Sequence, residues 1–412
     1  MVKKHTLERT PVVKYWNLQK DPFKDKALSG SRLSLFVARD KEIADLLDGI
    51  DNSLIGVFGS LGIGKTSFLN KSYDVLKAEG NCNVIYIDLG DCMSQNIYSA
   101  LLKELLTEVK NDNIRIKKGT ITVNDELERL ESKIIHSSTI AGGASTIIKA
   151  EVTDGKTIEV SQHTEESSKL LVRSLLEAVE SRLVILIDDI ERIKYVLADQ
   201  ELSYLKTVSA FTMTFKELSN ELVSIVVSLD DHFANLINNE RSKGSGAFSF
   251  SFGELIELQN FMPIDIKNII QIRLTDAGWK KQIEDFIGVD TFLLLCAATG
   301  GHPRKVFKVL RESMRYISRN DQSTKIDNNI LLCGLKQAKY FLDEIDISIV
   351  IYLKENGAVS PSDKNFQNII GLSRTTLADR LKSLQSLIGL EVTKVDQISG
   401  RQEYSLPDLD WS

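Results

Sequence analysis

The sequence predicts an α/β protein whose parallel sheet is followed by a helical subdomain and a small C-terminal unit. Three patterns along the chain lead to this prediction. Five short apolar runs alternate with helical patterns, which is typical of a parallel sheet covered by helices on both faces. From Pro263 onwards, one helical pattern follows another. The last part of the chain, from residue 341, combines three short helical patterns with two runs of alternating polarity.

Length and composition are those of a soluble protein with several domains. A chain of 412 residues is too long for one hydrophobic core, and the changes of pattern predict domains at 1–262, 263–340 and 341–412. No apolar run approaches the roughly 20 residues of a membrane-spanning helix, so no membrane partner is expected. Four cysteines without metal spacing, and an N-terminus without a signal-peptide pattern, predict a reducing, cytoplasmic setting.

The strands and helices follow in a regular order. A long connection at about 93–165 interrupts the order. It holds a charged helical pattern around residues 125–135, and Asp154-Gly155 joins two alternating runs in it as a predicted hairpin. The hairpin in this insert has two possible roles, contact with DNA or contact with a neighbouring subunit. The predicted strands are Leu54–Phe58, Asn83–Asp88, Ser181–Ile187, Leu222–Ser228 and Leu255–Leu258. The predicted helices of the second domain are Ile264–Asp276, Lys280–Ile287, Thr291–Ala298 and Pro303–Ile317.

The first predicted strand ends in a phosphate-binding loop. The segment fits G-x-x-x-x-G-K-[ST] and opens onto a helical pattern, so its N–H groups and the helix N-terminus are expected to surround phosphates. Lys65 is predicted to reach the β- and γ-phosphates, and the Thr66 hydroxyl to bind Mg²⁺. ATP and Mg²⁺ are therefore the expected cofactors. The predicted nucleotide contacts here are Gly59, Ser60, Leu61, Gly62, Ile63, Gly64, Lys65, Thr66 and Ser67.

Acidic and hydroxyl residues end the third and fourth strands. Asp188 has the position of the carboxylate that holds Mg²⁺, and Asp189 is the candidate base for the attacking water. Asp189 carries one methylene fewer than glutamate, which predicts slow turnover or use as a switch unless Glu191 compensates. Ser228, at the tip of the fourth strand, is either a sensor of the γ-phosphate or a cap of the next turn.

Two arginines complete the predicted catalytic machinery. Arg304 follows Gly300-Gly301-His302-Pro303 at a helix start, where its guanidinium either reaches the γ-phosphate or lies in solvent. Arg241 is a candidate arginine finger for a neighbour's site, with a plain surface arginine as the alternative. A finger acting between subunits requires a homo-oligomer with ATP at its interfaces.

In this order, the motifs resemble those of the AAA+ ATPases, most closely the initiator-like and loader-like branch. The resemblance covers residues 20–320 and implies a P-loop NTPase core with a helical lid that binds and hydrolyses ATP. Asp21-Pro22-Phe23 and Phe36-Val37-Ala38-Arg39 fit the adenine-side boxes, with Ala38 where that family usually has glycine and with Arg39 as a nucleotide contact. The Asp188-Asp189 pair and Gly300-Gly301-His302-Pro303 also resemble the STAND and KAP signalling NTPases.

The second predicted helix of the C-terminal unit runs from Pro361 to Ile370. The unit resembles a winged helix-turn-helix, with residues 373–387 in the recognition position. Leu377, Leu381 and Leu384 form the predicted buried stripe of that helix. Residues 354–404 hold seven basic and six acidic side chains, so the isolated module is expected to bind DNA weakly, and a protein-docking module is the alternative. The candidate DNA contacts are Arg374, Thr375, Thr376, Arg380, Lys394 and Arg401.

Three hypotheses follow from the sequence. The first is an ATP-hydrolysing AAA+ switch that acts on DNA, in a role of the initiation, transposition or mobile-element-defence type. The second is a STAND- or KAP-like signalling or defence ATPase whose winged helix docks a protein partner. The third is an ATP-gated scaffold with negligible hydrolysis, because of the short side chain of Asp189.

Overall fold

The computed structural model divides the chain into two compact units, which we call the sheet unit and the helical unit. The sheet unit spans 28–33 and 39–258, and the helical unit spans 1–27, 34–38 and 259–412. The division into three domains stays a prediction. The structure describes residues 11–52, 54–89, 97–111, 113–115, 148–152, 156–160, 165–190, 212–213, 215–230, 233, 235–236, 239–240, 252–320, 324–338, 344–388, 390–396 and 401–406.

The sheet unit is built on a five-stranded parallel sheet. The described strands of this unit are β1 (Leu54–Phe58), β2 (Asn83–Asp88), β3 (Ile148–Val152), β4 (Lys156–Val160), β5 (Leu183–Asp188), β6 (Val223–Leu229) and β7 (Glu254–Glu257). The parallel sheet has the order β2-β5-β6-β1-β7. Each predicted strand is present within two residues of its predicted bounds, and the α/β fold class of P-loop type is confirmed. Its described helices include α2 (Asp40–Gly49), α3 (Lys65–Glu79), α4 (Ile97–Lys110) and α5 (Glu165–Glu177).

Burial explains why the central strands are continuous apolar runs. Every residue of β1, β5 and β6 is buried, because helices cover both faces of a parallel sheet. Parallel strands all end at the same edge, so the residues after β1, β5 and β6 meet there. The helix α4, which the sequence analysis did not predict, buries a leucine stripe in the same core. Its buried leucines are Leu101, Leu102, Leu105 and Leu106.

The predicted hairpin of the insert is present. Strands β3 and β4 pair antiparallel, from Ile148 opposite Val160 to Val152 opposite Lys156. The charged helical pattern predicted around residues 125–135 lies outside the described residues. Among the described helices, none is both long and apolar enough to cross a membrane.

The helical unit buries aromatic residues from the N-terminal segment. Trp16 and Phe23 are 2% and 0% exposed, and Trp16 Nε1 donates to the main-chain oxygen of Met314 at 3.3 Å. Phe23 lies 5.8 Å from Phe286 and 6.0 Å from Phe307, measured between ring centroids. Aromatic pairs at these separations add to the burial free energy, and they tie the Asp21-Pro22-Phe23 segment to the helical core. The helices are α1 (Pro11–Tyr15), α6 (Pro263–Asp276), α7 (Ile283–Phe286), α8 (Val289–Thr299), α9 (Pro303–Asn320) and α10 (Asn328–Ala338).

The C-terminal part of this unit has three helices followed by a hairpin. They are α11 (Glu344–Asn356), α12 (Lys364–Ile370), α13 (Arg374–Ile388), β8 (Glu391–Asp396) and β9 (Arg401–Ser405). Val359, between α11 and α12, pairs with Tyr404 of β9 through two main-chain hydrogen bonds of 2.9 and 2.8 Å. The prediction that the second helix begins at Pro361 was wrong by three residues, because the Asp363 side chain caps it by accepting from the N–H groups of Asn365 and Phe366.

Candidate nucleotide site

The phosphate-binding loop has the backbone that its glycines predict. Gly59, Gly62 and Gly64 have φ values of 153°, 91° and 111°, a region that residues with a Cβ atom rarely adopt. A Cβ atom on Gly59 would also lie 2.6 Å from the main-chain oxygen of Leu258, which follows the neighbouring strand β7. The Ile63 N–H donates to the Ser60 carbonyl at 3.0 Å and closes the loop.

Lys65 opens α3 directly after the loop. Its Nζ donates to the Gly59 carbonyl at 2.9 Å, so the side chain folds back over the loop, and the residue is 6% exposed. Helix α3 runs for 15 residues with no acidic residue in its first turn, so no carboxylate there opposes an anion. Lys65, Thr66 and the loop N–H groups therefore form a cationic, donor-rich cradle for phosphates.

A second cluster lies at the tips of β2, β5 and β6. Asp188 is 1% exposed, and both of its carboxylate oxygens accept hydrogen bonds. Ser228 Oγ donates to Oδ1 at 2.7 Å, and the Tyr86 hydroxyl donates to Oδ2 at 2.7 Å. Two charge-assisted hydrogen bonds hold this carboxylate in one orientation. The Ser228 hydroxyl thus positions Asp188, and its role as a γ-phosphate sensor stays a prediction.

Asp189 turns the chain at the end of β5. Its φ is 57°, a left-handed conformation that aspartate adopts more readily than most residues. Its main-chain N–H donates to Ser228 Oγ at 3.1 Å, so Ser228 fixes the backbone of Asp189 as well as the side chain of Asp188. The two acids therefore differ in setting, because Asp188 is buried and Asp189 is half-buried at the strand tip.

Tyr86 and Asp88 belong to this cluster, although the sequence analysis did not select them. Burial, followed by the Asp188 charge, raises the pKa of the Tyr86 hydroxyl, so Tyr86 stays protonated and keeps donating to Asp188. Asp88 lies opposite Asp188 in the pairing of β2 with β5. The sequence contains a signal for this pair. Side chains alternate between the two faces of a strand, so Tyr86 and Asp88 share one face of β2, and β2 ends in Ile-Asp as β5 does.

Two other predicted nucleotide contacts bind protein groups in this structure. The Ser67 hydroxyl accepts from the Leu28 N–H at 3.0 Å, and Asn70 Nδ2 donates to the Leu28 carbonyl at 3.1 Å. Helix α3 thus holds residue 28 by both of its main-chain groups. Arg39 is 7% exposed and its Nη1 lies 2.6 Å from Glu42 Oε1 in the first turn of α2. Nucleotide contacts by Ser67 and Arg39 stay predictions.

The departure from the adenine-side box at Ala38 has a structural counterpart. Ala38 has φ 55°, in the left-handed region where glycine is preferred. The chain therefore keeps the backbone conformation that glycine favours while carrying a methyl group. We expect that conformation to cost on the order of 1 kcal/mol relative to glycine.

Arg304 is the second residue of α9, in the helical unit. Its Nε lies 3.3 Å from the Asp25 carboxylate, and the two side chains are 40% and 42% exposed. An exposed ion pair of this kind contributes little to stability. Its contact with the γ-phosphate stays a prediction.

The turn before Arg304 requires glycine at residue 301. Gly301 has φ 68°, and a Cβ atom there would lie 2.0 Å from the Phe261 carbonyl oxygen, which is far inside contact distance. We expect Gly301→Ala to lower the free energy of unfolding by about 3 kcal/mol or more, measured by urea denaturation. Gly371→Ala is the matched control, because Gly371 has a similar φ of 75° but open space around it, and should cost only about 1 kcal/mol. Equal losses in the two variants would contradict the steric argument.

Glu191 and Arg241 lie outside the described residues, and the catalytic roles assigned to them stay predictions. Lys394 and Arg401 lie on β8 and β9, where the strand register places Lys394 opposite Gln402 and Arg401 opposite Asp396.

The sheet order, the glycine loop, Lys65 at a helix start and the buried Asp188 together define a P-loop ATPase. A family model described as an ATPase domain predominantly from Archaea matches residues 36–263, more than half of the chain. The chain belongs to this ATPase family. Together with the sheet order, the match confirms the resemblance to the AAA+ ATPases.

Solved structures that resemble the chain have low sequence identity to it. The chain of Pyrobaculum aerophilum Cdc6p is 13% identical, with 94% of each chain covered and a TM-score of 0.43. The Aeropyrum pernix ORC2 protein is 14% identical, with 95% of each chain covered and a TM-score of 0.43. The Thermotoga maritima RuvB Holliday junction branch migration motor is 13% identical, covers 90% of this chain and 93% of its own, and has a TM-score of 0.37. No curated protein sequence matches the chain.

Proposed function

We propose that this ATPase is an ATP-dependent switch that acts on DNA, with ATP bound between subunits of a homo-oligomer. The observation that carries the DNA part is the two-sided character of α13. Leu377, Leu381 and Leu384 are 0% exposed, which fixes that face of the helix to the core. The first turn, Arg374, Thr375 and Thr376, is exposed and carries the donors that suit phosphates and base edges.

The ATP part of the proposal follows from the fit of the site. The loop glycines leave room for phosphates beside the backbone, and Lys65 and the start of α3 supply positive charge. For Mg²⁺, a hydroxyl at Thr66, one buried carboxylate at Asp188 and the phosphates themselves form a suitable oxygen set. Bound Mg²⁺ would neutralise charge on the β- and γ-phosphates.

Each group of residues in the site has a separate role in ATP hydrolysis. The loop and Lys65 hold and orient the phosphates, so much of the barrier is removed by positioning. Ser228 and Tyr86 keep Asp188 in one orientation for the metal. Asp189, half-buried directly after β5, accepts a proton from the attacking water through its carboxylate. Arg304 and Arg241 would stabilise the charge that develops on the transferred group, Arg241 in a neighbour's site.

One of the candidate DNA contacts is engaged within the protein. Arg380 Nη1 lies 2.8 Å from Asp346 Oδ1, where the Asp346 side chain is 9% exposed and that of Arg380 is 28% exposed. A buried carboxylate left without this partner would be costly, so we assign Arg380 to the packing of α13 on α11. Contacts with DNA are then left to Arg374, Thr375, Thr376 and the β8–β9 hairpin.

The experiment that tests the proposal is DNA binding by the full-length protein. Fluorescence anisotropy with a labelled duplex, with and without ATP and across a salt series, measures affinity and its salt dependence. Binding that tightens with ATP and weakens with salt supports the proposal, because an oligomer multiplies weak contacts. If no DNA binds at low salt, the protein-docking alternative, of STAND or KAP type, replaces it.

A variant of the C-terminal unit gives a sharper result. We expect Arg374→Glu combined with Arg401→Glu to lower duplex affinity about tenfold or more and to reduce the salt slope by about 2, because two phosphate contacts are lost. Lys280→Glu with Lys325→Glu is the control: both lysines are exposed in the same unit but lie outside α13 and the hairpin, and the charge change is equal. Unchanged DNA binding in the first variant, with ATP affinity intact in both, would remove α13 from the DNA interface.

A further inference from the structure

Helix α9 carries an unusual concentration of positive charge. Its 18 residues include six basic side chains and one acidic side chain, Glu312, in a protein whose net charge is −6. The opposite side of the helix is apolar: Val306, Leu310, Met314 and Ile317 are at most 1% exposed. The charge is therefore confined to the side of the helix that the core does not use.

Five of the six basic residues form a single stripe. They follow one another at steps of four, three, four and four residues: Arg304, Lys308, Arg311, Arg315 and Arg319. At 3.6 residues per turn these positions fall within an arc of about 80°, and the stripe extends for about 22 Å along the axis. Lys305 lies off the stripe, and burial lowers its pKa.

A groove runs beside the distal half of this stripe. Its volume is about 430 Å³, and α1 and the Asp21-Pro22 segment form its other wall. Arg311, Arg315 and Arg319 line it together with Ser318. Two acidic groups lie beside the groove: Asp21 Oδ1 accepts from the Phe23 N–H at 2.9 Å, and Glu312 Oε1 lies 2.5 Å from Arg315 Nη1, so Arg315 exchanges this ion pair when it binds a phosphate.

We propose that Lys308, Arg311, Arg315 and Arg319 of this basic stripe, with the groove beside the three arginines, bind the phosphate backbone of a nucleic-acid strand, while Arg304 is left to the nucleotide. The inference rests on the proposed function, that the chain acts on DNA, and adds a second contact surface outside the C-terminal unit. Basic residues one helical turn apart present cations about every 6 Å along a line, which is roughly the rise of two nucleotides on a strand that advances 3.4 Å per nucleotide. From Lys308 to Arg319 the cations extend over about 17 Å, which matches about five nucleotides of such a strand.

The side-chain types favour phosphate over the carboxylates of an acidic peptide. Four of the five stripe residues are arginine, whose planar fork binds phosphate oxygens in pairs and is only weakly hydrated. A near-neutral C-terminal unit would also bind DNA weakly by itself, so a second cationic surface supplies the missing phosphate neutralisation.

The test measures how the salt dependence of DNA binding changes when the groove arginines lose their charge. The variant Arg311→Gln, Arg315→Gln, Arg319→Gln keeps polar side chains and leaves Arg304 in place, so ATP affinity serves as a check on folding. The matched control is Lys280→Gln, Lys281→Gln, Lys325→Gln, three exposed lysines of the same unit. We expect the groove variant to lower the slope of log affinity against log salt for a mixed-sequence 30-bp duplex by about 2.7, and the control to change it little.

Each outcome decides between the two proposals. An unchanged slope in the groove variant overturns this inference and leaves the proposed DNA function standing. A wild-type protein that binds no duplex and no single strand overturns both. Loss of slope in the groove variant but not in the Arg374→Glu, Arg401→Glu variant supports the stripe and removes α13 from the interface. Binding of polyglutamate that the groove substitutions abolish, without DNA binding, identifies an acidic protein partner and also overturns the inference.

Discussion

Replacing Lys65 with alanine is expected to lower ATP affinity at least about 100-fold. The ammonium group is directed at the β- and γ-phosphates, and each hydrogen bond to a charged group contributes on the order of 1.5–3 kcal/mol, so losing two removes 3 kcal/mol or more. No other side chain of the loop from Gly59 to Thr66 carries a positive charge. Isothermal titration calorimetry with ATP and Mg²⁺ measures the effect.

The control for Lys65→Ala is Lys77→Ala. Lys77 belongs to the same helix, is exposed, and bonds only to a neighbouring surface group, with its Nζ 3.2 Å from the Tyr73 hydroxyl. Its replacement should leave ATP affinity within about twofold. Because Lys65 also donates to the Gly59 carbonyl, the thermal unfolding of both variants should be compared with wild type. Unchanged ATP affinity in Lys65→Ala would show that the loop is not the nucleotide site.

Replacing Asp189 with asparagine is expected to lower the ATPase turnover number by about 10²- to 10⁴-fold while ATP remains bound. Asparagine cannot accept the proton from the attacking water, and general-base catalysis contributes effects of this size. Asparagine is preferable to alanine because, like aspartate, it tolerates the left-handed backbone at this position, where φ is 57°. Steady-state phosphate release and ATP titration separate the two readouts.

Two neighbouring acids provide the contrasts for Asp189→Asn. Asp230→Asn changes the acid that follows β6, and should leave turnover within about threefold of wild type. Asp188→Asn should instead weaken Mg²⁺-dependent ATP affinity, because its oxygens are the proposed metal ligands. Wild-type turnover in Asp189→Asn would move the base elsewhere, with Glu191 as the next candidate.

The sequence located the sheet and the loop because both depend on local rules. A buried parallel strand must be apolar along its length, so β1, β5 and β6 were recognisable as runs, and the loop glycines were recognisable by their spacing. Helix α4 was not predicted because it begins inside the insert. The regular alternation of strands and helices, which indicates the other helices of the sheet unit, is interrupted there. The predicted start of α12 was wrong because two residues close together are both typical of a helix start. The prediction placed the first residue at Pro361, whereas the Asp363 side chain caps the helix.

The partners of the acids could not be predicted in the same way. Tyr86 and Asp188 are 102 residues apart, and Asp188 and Ser228 are 40 apart, so their hydrogen bonds exist only because the sheet order places β2, β5 and β6 side by side. Strand order is set by packing among all elements, and the sequence of a single strand does not specify which strands pair with it. Similarly, the sequence pattern predicted Arg380 as a DNA contact, but it did not predict the ion pair between Arg380 and Asp346 of α11.

The sequence by itself therefore determined the α/β class, the phosphate-binding loop and the acidic strand end, because hydrophobic period, glycine conformation and helix-start charge are properties of short segments. Only the tertiary structure decided that Ser228 and Tyr86 hold Asp188, that Ser67 and Asn70 hold residue 28, and that the arginines of α9 share a groove with α1 and the Asp21-Pro22 segment. Such contacts join residues far apart in the chain, and hydrogen bonding and burial fix them only when the whole core has formed.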